Sequence, residues 1–188
     1  SERIEYARSC AAASRRLTAL ITNILKLNKL ENQQIFPSQK CFNLSEQITE
    51  CLLDFEQVWE EKSIEIETNI AYGIMIRGDE ELLSLVWHNL FSNAFKFTHS
   101  GGSVSVSLCE NTESVSIIVC DTGIGIKSAD VSHIFEKFYQ ADTSHATKGN
   151  GLGLALVKRV LDICKGEIKV ESTEGKGSCF SVFLHKTL

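Results

Sequence analysis

The sequence has little of what marks membrane, secreted or nucleic-acid-binding proteins. It contains a single proline, Pro37, and no apolar run of the about 18 residues that a membrane-spanning helix requires. Its first residues mix acidic and basic side chains, unlike a secretory signal peptide. Basic residues number 19 against 24 acidic ones, a net charge of -5 that argues against a general nucleic-acid-binding surface. The 43% hydrophobic and 23% charged content is that of a globular chain.

The seven cysteines form no Cys-x-x-Cys pair, and their number is odd. Neither a zinc site nor a disulfide framework is typical of that spacing. Most of them lie in apolar runs such as residues 116–120, where a free cysteine behaves as a small hydrophobic residue. We therefore expect buried, reduced thiols and a reducing, cytoplasmic compartment.

A long amphipathic helix is predicted from about Ile4 to Glu31. Its apolar residues recur at spacings of three and four, at Leu17, Leu20, Ile24 and Leu27. We expect this stripe to pack against another helix, from a preceding segment or a second chain, and the alternative is that it lies on its own globular domain. The chain starts inside the helical pattern, so we expect it to be part of a longer protein. Pro37 ends the helix, which predicts a boundary between residues 1–37 and 38–188.

The remainder of the chain mixes helical and strand patterns. Helices are predicted over residues 43–61, 79–97, 128–138 and 152–164, and strands over residues 64–70, 74–77, 103–109, 114–120, 167–171 and 178–184. Neighbouring strands are separated by short turns, which favours hairpins. The expected fold class is therefore α+β, a two-layer sandwich in which helices cover a mixed sheet, and not a doubly wound sheet.

Two glycine clusters suggest a ligand site. Asp121 ends a strand pattern and precedes Gly123 and Gly125, so its carboxylate could accept a donor such as the adenine amino group while the backbone closes on a flat ligand. The alternative is an ordinary turn. Residues 148–153 open a helix with three glycines, whose exposed N–H groups suit phosphate. No Walker A pattern or dinucleotide fingerprint fits this cluster, and a flexible loop is the alternative.

A third feature is one face of the helix predicted over residues 79–97. Asn89, Asn93 and Lys96 fall at i, i+4 and i+7, so they line one side of it. Two amides and an ammonium on one stripe suit a metal-bound polyphosphate. Mg²⁺ prefers oxygen ligands and keeps several waters, so one or two side-chain oxygens are enough.

Together, and in this order, these features resemble the motifs of bacterial-type sensor histidine kinases. The N box corresponds to residues 89–97, the G1 box to 121–125, the F box to 135–139, the G2 box to 149–153 and the G3 turn to 175–177. The resemblance covers essentially the whole chain. It implies the end of a dimerisation domain over residues 1–37, and over 38–188 an ATP-binding domain of the Bergerat (GHKL) fold.

The resemblance also implies roles for individual residues in binding Mg-ATP. Asp121 would bind the adenine amino group, Asn93 with Asn89 would hold Mg²⁺, and Lys96 would approach the phosphates. The three residues of the helix, Asn89, Asn93 and Lys96, are thus the candidate catalytic residues. The rest of the implied ATP site comprises Phe97, Gly123, Gly125, Ile126, Phe135, Phe138, Lys148, Gly149, Gly151, Leu152 and Gly153. Residues 139–148 would form a lid with its hinge anchored by Phe135 and Phe138.

The implied reaction is transfer of the γ-phosphoryl group to a histidine on a dimerisation helix outside this chain, and then relay to an aspartate of a response regulator. Related ATPases such as gyrase B and MutL have a water-activating Glu where this chain has Asn89, which favours a protein acceptor over water. None of the five histidines lies in the N-terminal helix. His88 lacks the acidic residue that follows a phosphoacceptor, so we expect none in this chain and no autophosphorylation of it.

The implied partners are a second copy of the chain, through the N-terminal helix, and a response-regulator receiver domain. The chain would be the cytoplasmic portion of a membrane-anchored protein. Two other functions are weighed against this one. A GHKL serine kinase of the anti-sigma type also lacks the Glu, but the long apolar seam disfavours it. A non-catalytic nucleotide-sensing module is disfavoured by the intact N, G1 and G2 clusters.

Overall fold

The computed structural model describes residues 2–32, 36–140 and 149–186. The chain divides into two compact units, Ser1–Gln34 and Ile35–Leu188. The first unit is a single helix, α1 (Glu2–Asn32), which forms as the spacing of apolar residues predicts. Five of its large apolar side chains are exposed: Tyr6, Leu17, Ile21, Ile24 and Leu25. Among the described residues, no helix combines the length and apolar character needed to cross a membrane.

The second unit mixes strands and helices. In chain order, its described elements are β1 (Lys40–Asn43), α2 (Leu44–Leu53), α3 (Glu56–Lys62), β2 (Glu65–Ile70), β3 (Met75–Gly78), α4 (Glu80–Phe97), β4 (Ser103–Glu110), β5 (Ser114–Asp121), α5 (Gly153–Cys164), β6 (Glu167–Thr173) and β7 (Gly177–His185). Over the described residues, five strands form a sheet in the order β2-β4-β5-β7-β6, and β1 pairs with β3 separately. Strands β2 and β4 run parallel, while the β4–β5, β5–β7 and β6–β7 pairs are antiparallel.

One face of the large sheet forms the core of this unit. Alternate residues of the three central strands are buried: Val104, Val106 and Leu108; Val115, Ile117 and Val119; Phe180, Val182 and Leu184. Helices α4 and α5 pack against each other on this side of the sheet, with fully buried residues such as Val86 and Val160 between the layers. Burial of one face of each element stabilises the two layers together. The predicted α+β fold with a mixed sheet covered by helices is confirmed.

Two predicted helices differ from the structure. The helix predicted over residues 43–61 is interrupted between α2 and α3, where the Phe55 ring packs 5.4 Å from the Phe95 ring of α4. The helix predicted over 128–138 is a succession of turns. Its main-chain bonds span three residues, from Asp130 N to Lys127 O and from His133 N to Asp130 O. Strand β1 was not predicted, and its pairing with β3, which is distant in sequence, gives no local signal.

The expectation of buried, reduced thiols is wrong for several cysteines. Cys120 and Cys179 form a disulfide, although 59 residues separate them in sequence. They are opposite one another in the β5–β7 register, and such a register cannot be read from cysteine spacing. Cys41 and Cys109 are exposed, while Cys51 is buried. Burial raises the pKa of Cys51 to about 11, so that thiol stays protonated at neutral pH. The cytoplasmic compartment, inferred from reduced thiols, stays a prediction without that support.

Candidate functional site

The Asp121 carboxylate lies at the carboxyl end of β5, where two main-chain N–H groups hold it. Gly123 N donates to its Oδ1 at 2.8 Å, and the Ser178 N–H of β7 bonds to it as well. Burial raises the pKa of Asp121, and these two N–H groups oppose the shift because they favour the charged form. A carboxylate accepts more than two hydrogen bonds, so Asp121 retains capacity for a ligand donor.

The main chain closes tightly around Asp121 because glycines stand at the contact points. A Cβ on Gly123 would collide with Phe97 O and would lie 2.7 Å from Asp121 Oδ1. Gly177 has φ +109°, and a Cβ there would collide with Asp121 O. A Cβ on Gly125 would likewise collide with Thr173 O. The strand ends and the G3 turn are thus packed backbone against backbone.

Helix α4 presents the predicted polar stripe beside the start of α5. Its N-terminus is capped by Asp79, whose side chain accepts a bond from Leu82 N. Asn89 Nδ2 donates to Leu85 O at 2.7 Å, and a Cβ on Gly153 would lie 2.7 Å from Asn89 Oδ1. Asn93, one turn further on, is half-buried. The Asn89 oxygen therefore faces the first turn of α5.

Lys96 lies at the same junction. Its Nζ is 4.4 Å from the centre of the Phe97 ring, a cation–π contact. A Cβ on Gly149 would lie 2.7 Å from that Nζ, so the ammonium lies against the glycine-rich segment. Burial lowers the pKa of Lys96, and an anion beside the ammonium would oppose that shift by favouring the charged form.

The F box and the G2 box run side by side. Phe138 N donates to Gly151 O at 2.8 Å, and Gln140 Nε2 donates to Gly149 O at 3.1 Å. Tyr139 OH donates to Asp130 Oδ1 at 2.6 Å, which raises the pKa of Tyr139. The Phe138 ring is 61% exposed, so its main chain and not its ring makes the contact, whereas Phe135 is half-buried. Residues 141–148, which include Lys148 and most of the predicted lid, lie outside the described residues.

Other predicted residues fall into the same region. Leu152, buried, precedes α5, and Ile126 N donates to Ser172 Oγ at 2.8 Å. Asn150 Nδ2 is buried and has no hydrogen-bond partner among the described residues. Three residues that support this region were not predicted from the sequence: Ser172, Ser178 and Lys62. All three act across pairings distant in sequence. The one sequence signal for the two serines was their position on either side of the G3 turn.

The site as a whole has two adjoining parts. One is the Asp121 carboxylate in its tight main-chain cradle, and the other is the face of α4 that bears two amides and an ammonium. Gly123 and Ile124, which follow Asp121, contact α4 at Phe97 O, while Lys96 and Asn89 contact the G2 segment. A flat base with a donor suits the first part, and an anionic, metal-bound tail suits the second.

Comparison with known proteins identifies the class. The family model described as "Histidine kinase-, DNA gyrase B-, and HSP90-like ATPase" matches residues 78–188, more than half of the chain and the part that contains the cradle and the stripe. The chain belongs to this family of ATPases. Within the family, it has the GHKL catalytic domain of the sensor histidine kinases, as its relatives show and as the motifs predicted.

Two curated relatives and one solved structure illustrate the similarity. The chain is 33% identical over 179 residues to the sensor-like histidine kinase SenX3 of Mycolicibacterium smegmatis, covering 94% of this chain and 47% of that protein. It is 34% identical over 173 residues to the sensor histidine kinase RppB of Synechocystis sp., covering 90% and 38%. Full-length ShkA in complex with AMPPNP superposes with a TM-score of 0.85 at 27% identity, covering 100% of this chain and 40% of that one. The chain thus spans about half or less of these proteins.

Proposed function

We propose that the second unit binds Mg-ATP, and that the protein to which it belongs transfers the γ-phosphoryl group to a histidine. The observation that carries this proposal is the junction of two differently built features. A half-buried carboxylate in a glycine cradle adjoins, through Phe97 O, a helix face that bears two amides and an ammonium. The structure of the related ShkA is that of a complex with AMPPNP, an ATP analogue, which supports a nucleotide as the ligand.

In this proposal, Asp121 accepts a hydrogen bond from the adenine amino group. Its Oδ1 is already oriented by Gly123 N, so binding needs little rearrangement of the carboxylate. The base would lie beside Phe97 and the main chain of residues 123–126. Guanine presents a carbonyl oxygen where adenine presents an amino group, so the same carboxylate would repel it.

The phosphates would lie between α4 and the start of α5. Lys96 Nζ faces Gly149, and the buried Asn150 Nδ2 offers a donor that no described residue uses. No cluster of three or more His, Cys, Asp or Glu among the described residues could hold a metal alone. The side-chain oxygens of Asn89 and Asn93 fit a Mg²⁺ ion that keeps several of its waters. The amide nitrogen of Asn89 already donates to Leu85 O, which leaves its oxygen for the ion. Bound Mg²⁺ would neutralise phosphate charge.

The acceptor in this proposal is a histidine outside the 188 residues. Asn89 cannot take a proton from water as a Glu would, so the site lacks the base that hydrolysis uses in related ATPases. Both ring nitrogens of His88 have partners, Asp54 Oδ2 at 2.8 Å and Ser84 O at 3.0 Å. The exposed Leu17, Ile21 and Leu25 of α1 fit a second copy of the chain, and a response-regulator receiver domain would take the phosphoryl group next.

Titration calorimetry of the 188-residue chain tests the binding step. We expect Mg-ATP to bind, and to bind far more tightly than Mg-GTP, whose base has a carbonyl oxygen at the position of the adenine amino group. A chain that binds neither nucleotide, or both equally, would contradict the assignment of Asp121.

Incubation of the longer protein with Mg-ATP tests the transfer step. We expect acid-labile, alkali-stable phosphate, as phosphohistidine gives, and no label on the 188-residue chain alone. Acid-stable phosphate would indicate a serine kinase instead. Binding without any transfer from the longer protein would indicate a nucleotide-sensing module. Label on a histidine of the 188-residue chain would contradict the expected location of the acceptor.

A further inference from the structure

Lys62, the last residue of α3, reaches across to the carboxyl end of α4. Its Nζ donates to Phe95 O at 2.6 Å, to Thr98 O at 2.9 Å and to Lys96 O at 3.2 Å. An ammonium group has three N–H donors, and all three are engaged by main-chain carbonyls. The positive charge also lies where the helix dipole is negative, which strengthens these bonds.

These bonds complete the hydrogen bonding of the last turn of α4. A helix leaves its last four carbonyls without partners inside the helix. Here Ala94 O accepts from Thr98 N and Thr98 Oγ1, and Phe97 O accepts from Ile124 N at 3.3 Å. Lys62 Nζ donates to the two carbonyls between them, Phe95 O and Lys96 O. The end of α4 is therefore tied to α3 on one side and to the G1 loop on the other.

Lys62 is itself held in place. Gly101 N donates to Lys62 O at 3.0 Å, so the turn after α4 binds the end of α3 in return. One turn earlier in α3, the Trp59 ring packs 5.7 Å from the Phe95 ring. The lysine thus bonds from a fixed main chain to a fixed set of acceptors.

We propose that Lys62 is a positioning residue for the nucleotide site. Its acceptors flank the peptide units from which Lys96 and Phe97 project, and Phe97 O in turn contacts Gly123. Lys62 does not touch the ligand in this proposal; it holds the main chain that aims Lys96 at the phosphates and keeps Phe97 beside the base. The inference rests on the proposed function, because it names a residue that supports the same site.

A purely structural lysine would lower stability and leave affinity unchanged in the folded protein. Lys62→Met keeps the apolar stem and removes all three donors. The matched control is Trp59→Leu, which weakens packing on the same Phe95 but removes no bond to a carbonyl. Both variants are compared by Mg-ATP titration of the full 188-residue chain, well below their unfolding temperatures. Amide hydrogen exchange at Ile124, which bonds to Phe97 O, is measured in parallel.

We expect Lys62→Met to weaken Mg-ATP binding about tenfold, the change that loss of charged hydrogen bonds at the helix end produces. We expect faster amide hydrogen exchange at Ile124 in Lys62→Met. The affinity of Trp59→Leu for Mg-ATP should stay within about twofold of that of the unsubstituted chain. Lys62→Arg, which restores the charge and the donors, should recover most of the affinity. Wild-type affinity in Lys62→Met, or an equal loss in Trp59→Leu, would overturn the inference. If Lys62→Met does not fold, Lys62→Gln takes its place with the same expected loss of affinity.

The outcome separates the inference from the proposed function. If the unsubstituted chain does not bind Mg-ATP, the proposed function fails, whatever Lys62 does. If it binds and Lys62→Met binds equally well, the proposed function stands and the positioning role fails. Unchanged exchange at Ile124 in Lys62→Met would also contradict the positioning role, independently of any nucleotide.

Discussion

The two halves of the candidate site differ in what surrounds their glycines. Around Asp121, the atoms that a Cβ on Gly125 or Gly177 would meet belong to the main chain, of Thr173 and of Asp121. Beside α4, the atoms that a Cβ on Gly149 or Gly153 would meet are the tips of side chains, Lys96 Nζ and Asn89 Oδ1. The half around Asp121, which we propose binds the base (the base half), therefore has backbone at these glycines. The half beside α4, which we propose binds the phosphates (the phosphate half), has side chains at Gly149 and Gly153.

This difference predicts different tolerance to change. A main-chain carbonyl in a sheet cannot retreat without breaking the sheet, whereas a lysine or asparagine tip moves by rotating about its χ angles. We therefore expect substitutions in the base half to cause large losses of stability. In the phosphate half, we expect substitutions to cause smaller, graded losses of affinity.

The largest effect is expected for Gly177→Ala in the base half. The new Cβ would collide with Asp121 O in a backbone of positive φ, so we expect a loss of about 3 kcal/mol of unfolding free energy. Gly175→Ala is the control, because Gly175 also has positive φ, +76°, but nothing lies within 4 Å of its Cβ position. It should cost about 1 kcal/mol. Urea unfolding of both variants measures the difference, and equal losses would contradict the tight packing around Asp121.

Asp121→Asn should weaken Mg-ATP binding about a hundredfold, since it removes a charge-assisted acceptor and adds a donor that faces the adenine amino group. Asp162→Asn, in an exposed ion pair with Lys158, should leave affinity unchanged. Calorimetric titration of both variants makes the comparison. Similar affinity in Asp121→Asn and the unsubstituted chain would remove Asp121 from the base site.

The same substitution should not lower stability at neutral pH. Burial raises the pKa of Asp121 in the folded protein, so the folded state binds a proton at pH values where the unfolded chain has lost it. Its contribution to stability is present below the ordinary carboxyl pKa and is lost as the pH rises through the raised value. At neutral pH, the unfolding free energy of Asp121→Asn should therefore equal or exceed that of the unsubstituted chain. In acid, this advantage in stability should disappear. Thermal unfolding against pH measures it, and a variant less stable at neutral pH would contradict it.

In the phosphate half, Lys96→Met should weaken ATP binding about tenfold and leave adenosine binding unchanged, because in the proposed complex the ammonium contacts the phosphates and not the base. Lys158→Met on the exposed side of α5 serves as the control. Titration with both ligands gives the result. Equal losses for ATP and adenosine would show that Lys96 supports the whole site and would erase the distinction between its halves.

The smallest effect is expected for Gly153→Ala. The new Cβ would displace only the tip of Asn89, and alanine favours a helix by up to about 1 kcal/mol over glycine, so stability should be kept or raised. Mg-ATP affinity should fall about threefold as the Asn89 oxygen moves. Gly151→Ala, whose Cβ would lie 2.6 Å from Tyr139 O, should instead destabilise the chain. Titration and thermal unfolding of the pair test this contrast.

Local sequence patterns predicted the arrangement of side chains on α4 better than the arrangement of backbone around Asp121. The face of α4 that bears Asn89, Asn93 and Lys96 follows from helical periodicity alone. The bond from Ser178 to Asp121 depends on the β5–β7 register, as does the Cys120–Cys179 disulfide. No local signal carries such a register. Lys62 was missed for the same reason, since its acceptors lie 33 to 36 residues away.

The sheet also bears on the order of folding. Strands β4 and β5 form one hairpin and β6 and β7 another, each closed by a short turn. Among the described strands, the β5–β7 pairing alone joins the two hairpins, and it pairs residues far apart in sequence. Asp121 and Gly123 belong to the first hairpin, whereas Gly177 and Ser178 belong to the second. The cradle therefore does not exist until the two hairpins have joined. A nucleotide bound at the cradle would favour the joined state by mass action, so ligand binding and the joining of the two hairpins would be thermodynamically coupled.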